Sequence, residues 1–467
     1  MKESVQLSSL NKLDPAVAET ADFLRDKIKE LEVEIFTHSD ADGIASSLLL
    51  VSFLRLQDTP FHLRFTGPFG TKEMIRLAET EEKKKLIVFL DQGGSEVETI
   101  EKCLLQTGHQ IVVIDHHQGR PLSHPYLSYL NPHFLGVDGG MEISTASLVF
   151  LVVERLERSL RRLGWLTLIG ALGDRQEVNG KLIGANQQLL ERFISEGSVR
   201  RMVGLRIMGR NGPLFNALHF SVRPYLPGIS GNEKSCDSIL KELGLDRSAT
   251  FEQVQEEKLL EVILSHCPNP ERMRNLLWGP VYRNHGFIHE EAAVAQACGI
   301  MGKPELAFGR LMRDPFLSVE AWSVSLEYAK KVLSALQWLK SHPEALKTTP
   351  VMRYLYLPVE ATMAGELLSV ALESGILPPE LPVVALVDSG PQIKVSGRVS
   401  HLAERRYNIG SALGMSARAV GGVGGGHEAA GAAYIPKNRL DVFLSKLQEV
   451  LRREDENSSA SGVVGKG

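Results

Sequence analysis

The residues best suited to chemistry fall where apolar runs end. In "IFTHSDADG", His38, Asp40 and Asp42 occupy every second position directly after an apolar stretch. Alternate side chains of an extended segment share one face, so one imidazole and two carboxylates point the same way. Left bare, the carboxylates repel, and one must raise its pKa or take up a cation. The pattern recurs. "LIVFLD" ends in Asp91, "IVVIDHH" in Asp115, His116 and His117, and "LIGALGD" in Asp174. Read as strands, these four runs bring Asp or His to one sheet edge, and in open α/β sheets ligands bind beyond the carboxyl ends of the strands. Converging there, Asp40, Asp42, Asp91 and Asp174 carry the negative charge that two divalent ions neutralise. A mixed carboxylate and imidazole shell suits Mn²⁺, with Mg²⁺, Co²⁺ or Fe²⁺ as competitors. Two such ions about 4 Å apart clamp the attacking and leaving oxygens of an in-line phosphoryl displacement.

Each run also has an ordinary reading. H-x-D-x-D fits a polar loop, Asp115 a helix cap with a surface His pair, and Asp91 before Gln-Gly-Gly plain turn chemistry. Four such runs in order, each ending in the same residue types, favour the cluster.

The elements that must position these residues alternate. "VEIFTH", "KLIVFLD" and "QIVVIDHH" are near-continuously apolar, as in strands buried on both faces of a parallel sheet. "DPAVAETADFLRDKIKELE" reads as a helix capped by Asp14 with Pro15 at its first position. "GIASSLLLVSFLRL", "VETIEKCLLQTG" and "STASLVFLVVERLERSLRRLG" read as the intervening helices. This predicts an α/β fold with a parallel-sheet domain over residues 1–200. A mostly helical insert is predicted over 201–345 and a smaller α/β domain over 346–455, with the active site in the cleft between the two α/β domains. The Gly/Ser-rich tail 456–467 is predicted to be disordered. No internal repeat is present.

At 467 residues the chain exceeds a single small core. A net charge of −4 argues against a protein that coats duplex DNA through bulk charge. The four cysteines, Cys103, Cys236, Cys267 and Cys298, form no C-x-x-C pair, which fits a reducing cytoplasm rather than a zinc knuckle or disulfide framework. The polar N-terminus lacks an apolar signal core, and no apolar run suits a membrane span.

Together, "THSDADG", "LDQGG", "DHH" and "GDRQ" resemble the four motifs of the DHH phosphoesterase superfamily. "VSGR" with "GGVGGGHEAAGA" resembles its DHH-associated C-terminal domain. "RPYLPGISGNE" and "EEAAVAQACGIMGKPELAFGRLM" are similar to the archaeal RecJ-like branch associated with GINS. The resemblance implies that His38 and Asp40 hold one ion, Asp42 and His116 the other, and Asp91 and Asp174 bridge or share the pair. It implies that Asp115 orients a ligating histidine and that His117 faces the scissile phosphate or leaving group. Arg175-Gln176-Glu177 after the last motif is more basic than the family pattern suggests.

The glycine run formally matches G-x-G-x-x-A, yet it lies near the C-terminus and not in a first βα turn. Gly424, Gly425 and Gly426 are instead expected to let backbone amides approach a phosphate, with His427 as partner. Arg398 would grip a phosphate oxygen, beside Ser396 of the same "VSGR". Arg200, Arg201, Arg206 and Arg210 form a weaker basic stretch. The expected function is a two-metal, single-strand-specific exonuclease on DNA or RNA that releases 5′-mononucleotides. The alternatives are a short-oligonucleotide or cyclic-dinucleotide phosphodiesterase, and a replication scaffold whose insert binds GINS and the replicative helicase.

Overall fold

Residues 8–67, 83–400, 403 and 406–463 are described by the structure, a computed structural model. Its first sheet is made from the predicted apolar runs. β1 (Val33–His38), β2 (Phe61–Thr66), β3 (Leu86–Leu90), β4 (Gln110–Ile114) and β5 (Leu127–Leu130) are all parallel, in the order β2-β1-β3-β4-β5. The chain leaves β1 toward β2 on one side and returns to β3 on the other. That reversal opens a crevice at the carboxyl ends of β1 and β3.

Alternation along the strands builds two cores. Val33, Ile35, Val88, Leu90, Val112 and Ile114 face α1 (Ser9–Lys27), α2 (Ala41–Leu56), α3 (Thr145–Leu156) and α4 (Leu166–Gly173). Phe36, Ile87, Phe89, Ile111 and Val113 face the other way, onto Ile100, Leu104 and Leu105 of an irregular helical stretch. Phe36 and Phe89 stack there at 5.6 Å. Both faces are covered, which is why the strands read as unbroken apolar runs.

Two sequence expectations change. "LIGALGD" is not a strand but α4, buried along its whole length among α2, α3 and α6 (Ile288–Ile300), with Asp174 just past its end. A short run that is apolar on every side does not reveal its own period. α1 begins earlier than predicted: Ser8 caps it by accepting from Asn11 N at 3.3 Å, and Pro15 lies inside the helix. Asp14 instead pairs with Arg155.

The residues predicted as one insert divide between two compact units. Unit one comprises Met1–Met208, Glu256–Leu260 and Glu271–Leu326; unit two comprises Gly209–Gln255, Glu261–Pro270 and Glu327–Gly467. In unit one, β6 (Arg200–Leu205) pairs antiparallel with β7 (Trp278–Arg283). Gln296 of α6 accepts from Ala41 N at 3.2 Å, and α7 (Pro304–Leu311) packs on α2 and α6. The segment 271–326 is therefore part of the first unit's core. α8 (Pro315–Ser341) contains the division.

Unit two carries a mixed six-stranded sheet: β8 (Lys347–Thr348), β9 (Arg353–Tyr356), β10 (Val383–Ser389), β11 (Gln392–Arg398), β12 (Val423–Gly426) and β13 (Ala430–Pro436), in the order β8-β9-β10-β11-β13-β12. α9 (Ala364–Glu373) packs on β10 and β11. Ile393, Val395 and Ile435 pack with α10 (Ile409–Ala419) and α11 (Leu440–Val463). The helix of α11 runs to Val463, into the segment predicted as a tail, and residues 464–467 lie outside the described ones. Upstream of that segment, Glu449 pairs with Lys446 and Arg453, and Asp455 holds Arg406.

Phe150 of α3 is fully buried and meets Phe193 of α5 (Gly184–Ser195) edge to face at 5.3 Å. Phe150→Ala is expected to destabilise unit one by about 3–5 kcal/mol in urea unfolding followed by circular dichroism.

Candidate metal centre

β1 ends at His38, and the chain then turns at once into α2. Asp40 is the cap of that helix, accepting from Gly43 N at 3.0 Å, and Asp42 sits in its first turn. A Cβ at Gly43 would run into the His38 carbonyl, so this turn demands glycine. The turn also changes the expected geometry. His38, Asp40 and Asp42 do not share one strand face: Asp40 stays beside His38, whereas Asp42 is carried into a second group with His116.

The first group is His38, Asp40 and Asp91, and the second is Asp42, Asp91, His116 and Asp174. His38 Nδ1 lies 2.8 Å from Asp40 Oδ2 and 3.6 Å from Asp91 Oδ2. His116 Nε2 lies 3.3 Å from Asp91 Oδ1, 3.3 Å from Asp174 Oδ2 and 3.9 Å from Asp42 Oδ2. Asp91 thus turns one oxygen to each group. Its φ of +59°, unusual away from glycine, is backbone strain at the point where the two groups meet. Asp174 joins only the second group.

The chemistry of these donors fits divalent cations. His116 Nδ1 lies 2.7 Å from the Gly139 carbonyl, which accepts the ring's proton and turns Nε2 toward three carboxylates. A neutral imidazole would meet them with a lone pair, so either protons or a metal cation must stand between the two. Burial, then Asp91, pushes the Asp42 carboxyl up to about 7. Burial and Asp42 raise Asp174 well above the carboxylate range. Burial opposes charge on His116, but its carboxylate neighbours override it and hold the pKa well above that of free imidazole. Without metal the cluster therefore retains protons, which divalent cations would replace.

Asp115 orients His117: its Oδ1 lies 2.7 Å from His117 Nδ1 and accepts from His117 N at 3.1 Å, while its Oδ2 accepts from Gly94 N at 2.8 Å. His116 is fixed by the Gly139 carbonyl instead.

Sequence reasoning missed the residues that hold these ligands. Thr145 N and Ala146 N, at the start of α3, donate to Asp42 at 2.7 and 2.8 Å, and Thr145 Oγ1 donates to Asp91 at 3.1 Å. A helix N-terminus favours such a negative charge. Buried Gln176 donates to the Gly139 carbonyl at 2.8 Å and accepts from Asn186 at 2.7 Å, and Ser147 donates to Asn186 at 2.9 Å. Asn131 donates to the His117 carbonyl at 2.8 Å. Gln176 was visible only as an odd neighbour of Asp174; the others left no local signal.

Of the predicted substrate residues, Arg398 donates to Ser369 Oγ and to the Gly397 carbonyl, both at 2.9 Å, and Ser396 is buried in β11. Gly424, Gly425 and Gly426 are not a loop but β12, an edge strand paired with β13, and His427 follows, donating its N–H to Ala430 O at 2.7 Å. In the basic stretch, Arg201 pairs with Glu191, Arg206 donates to the Gly180 and Pro280 carbonyls, and Arg210 lies over the Phe251 ring at 5.3 Å. Arg206 is thus held by the fold, whereas the Arg201 pair lies on the surface. Among the described residues no helix is long and apolar enough to cross a membrane.

Gln176→Leu removes the donor that holds Gly139 against His116. It is expected to weaken Mn²⁺ binding by about 10–100-fold, measured by titration calorimetry, with the circular dichroism spectrum retained.

Residues 32–170 match the family model described as DHH family, N-terminal domain; residues 353–453 match the DHHA1 domain; residues 204–268 match Archaeal Cdc45. Protein MJ0831 of Methanocaldococcus jannaschii is 25% identical over 429 residues, covering 90% of this chain and 93% of that one. CDC45 from Entamoeba histolytica shares the fold with a TM-score of 0.62 at 12% identity, over 94% of this chain and 99% of that one. RecJ from Thermus thermophilus, solved with Mn²⁺, has a TM-score of 0.57 at 17% identity, over 94% of this chain and 55% of that one. The parallel sheet with its acidic and imidazole cluster is a DHH-family N-terminal domain, the mixed sheet is a DHHA1 domain, and the chain shares the fold of CDC45 and RecJ.

Proposed function

We propose that this protein is a two-metal phosphodiesterase that digests single-stranded DNA or RNA from an end and releases 5′-mononucleotides. The observation that carries this reading is the complete donor set: His38, Asp40, Asp42, Asp91, His116 and Asp174 in two groups joined by Asp91. Two divalent cations held there, Mn²⁺ foremost and Mg²⁺ or Co²⁺ as substitutes, supply an activated water and charge neutralisation for phosphoryl displacement. His117, fixed through Nδ1 by Asp115, is assigned the departing oxygen. Arg398, Ser396, the Gly424–Gly426 strand and His427 are assigned to the substrate phosphate. The fold likeness to manganese-bound RecJ supports the reading.

A second reading, a scaffold in a replication complex, is favoured by the Archaeal Cdc45 match at 204–268 and by the likeness to CDC45. GINS and the replicative helicase are its proposed partners. An intact donor set is not needed for scaffolding alone, so it weighs toward an enzyme.

The test is a gel assay of single-stranded DNA and RNA of equal length, each labelled at one end, with Mn²⁺, Mg²⁺ or EDTA. Metal-dependent mononucleotides are expected, reduced more than about 100-fold in His116→Ala, since a ligand should matter more than the residues that orient it. No cleavage by metal-loaded protein would overturn the nuclease. The scaffold predicts that the protein doubly substituted Asp115→Ala and His116→Ala still captures GINS in a pull-down; loss of capture by both the wild type and this variant removes that reading.

A further inference from the structure

Lys394, Ser396 and Arg398 alternate along β11 and so share one face of the second unit's sheet. Register sets them beside Tyr434, Ala432 and Ala430 of β13. One strand further out, Val423 and Gly425 of β12 lie opposite Tyr434 and Ala432. The opposite face is committed to the core through Ile393, Val395, Ala433 and Ile435.

Three features of the first face lack a structural explanation. Lys394 is partly buried with its Nζ 5.8 Å from the Tyr434 ring centre, and it has no carboxylate partner among the described residues. Burial and then the like charge of Arg398 push its pKa down. Ser396 is 2% exposed, and its hydroxyl makes no hydrogen bond to a described residue. Gly425 completes the set. A Cβ at Gly424 would come within 2.7 Å of the Ala433 Cβ, and one at Gly426 would strike the Ala430 carbonyl, so packing explains both glycines. A Cβ at Gly425 would meet nothing within 4 Å, and its φ is outside the left-handed region. Neither packing nor backbone conformation asks for glycine there.

A cation without a counter-ion among the described residues, a flanking aromatic ring and a floor of Gly425 and Ala432 complement a phosphate attached to a flat base. We propose that this face is a nucleotide subsite: Lys394 takes a backbone phosphate, and Tyr434 stacks a base over Gly425 and Ala432. The proposal rests on the nucleic-acid reading above and adds to it. Lys394 and Arg398 are about 13 Å apart along the strand, so they contact different nucleotides of one chain. Stacking on a tyrosine tolerates any base, which suits a sequence-independent enzyme.

The test measures binding of a fluorescein-labelled twelve-nucleotide single strand, DNA or RNA, to the full-length protein in EDTA, by anisotropy over a series of KCl concentrations. Tyr434→Leu is expected to weaken binding about 10-fold. Lys394→Gln should lower the slope of log K against log salt by about 0.7. Gly425→Val should weaken binding by filling the floor. Melting temperature and Mn²⁺ affinity should stay at wild-type values; if Gly425→Val fails to fold, the other two variants decide. Wild-type affinity and salt slope in both Lys394→Gln and Tyr434→Leu overturn the subsite and leave the nuclease reading standing. Failure of the wild-type protein to bind either oligonucleotide overturns the subsite together with the nucleic-acid reading.

Discussion

His116 Nε2 faces Asp42, Asp91 and Asp174 inside a buried pocket, while its Nδ1 is committed to a backbone carbonyl. Gathering that much like charge away from water is costly, and the cost falls only when a cation or a set of protons enters. Much of unit one can be understood as the frame that holds this cluster together. α3 offers its N-terminal amides to Asp42, and its first hydroxyl goes to Asp91. The Gln176–Asn186–Ser147 chain secures the carbonyl that fixes His116.

Close packing is the second requirement. α4 lies against α2 so tightly that a Cβ at Gly170 would strike the Asp42 carboxylate and come within 2.9 Å of the Ala146 side chain. That contact delivers Asp174 from a helix end to a site otherwise built at strand ends. α6 reinforces it through Gln296 on the Ala41 amide. Residues far along the chain therefore complete the frame of the first unit, and the contact map does not follow sequence order.

Unit two contributes a different kind of surface. Its sheet buries one face under α10 and α11 and leaves small, cationic and aromatic side chains on part of the other. On the reading proposed above, the donor cluster would supply reactivity without regard to what is bound, and a sheet face of this composition would supply recognition.

The three strand ends and every proposed metal ligand could be read from the chain, because buried parallel strands write continuous apolar runs and their ends write the ligands. Strand alternation alone put His38, Asp40 and Asp42 on one face, and the helical turn capped by Asp40 is what carries Asp42 to His116, as the family resemblance implied. The helical state of "LIGALGD" was not legible, since a run buried on all sides carries no period. Nor was the β12 strand, whose glycines gave a loop-like composition that pairing with β13 overrode. The sequence by itself determined which donors are available and that they are too many to stay unneutralised. Only the tertiary structure decided that Asp174 joins the second group alone, that Asp91 turns one oxygen to each group, and which distant amides and carbonyls hold them. Ligand identity is a property of residue type, but grouping and orientation come from contacts between segments more than a hundred residues apart, such as Asp42 with Thr145.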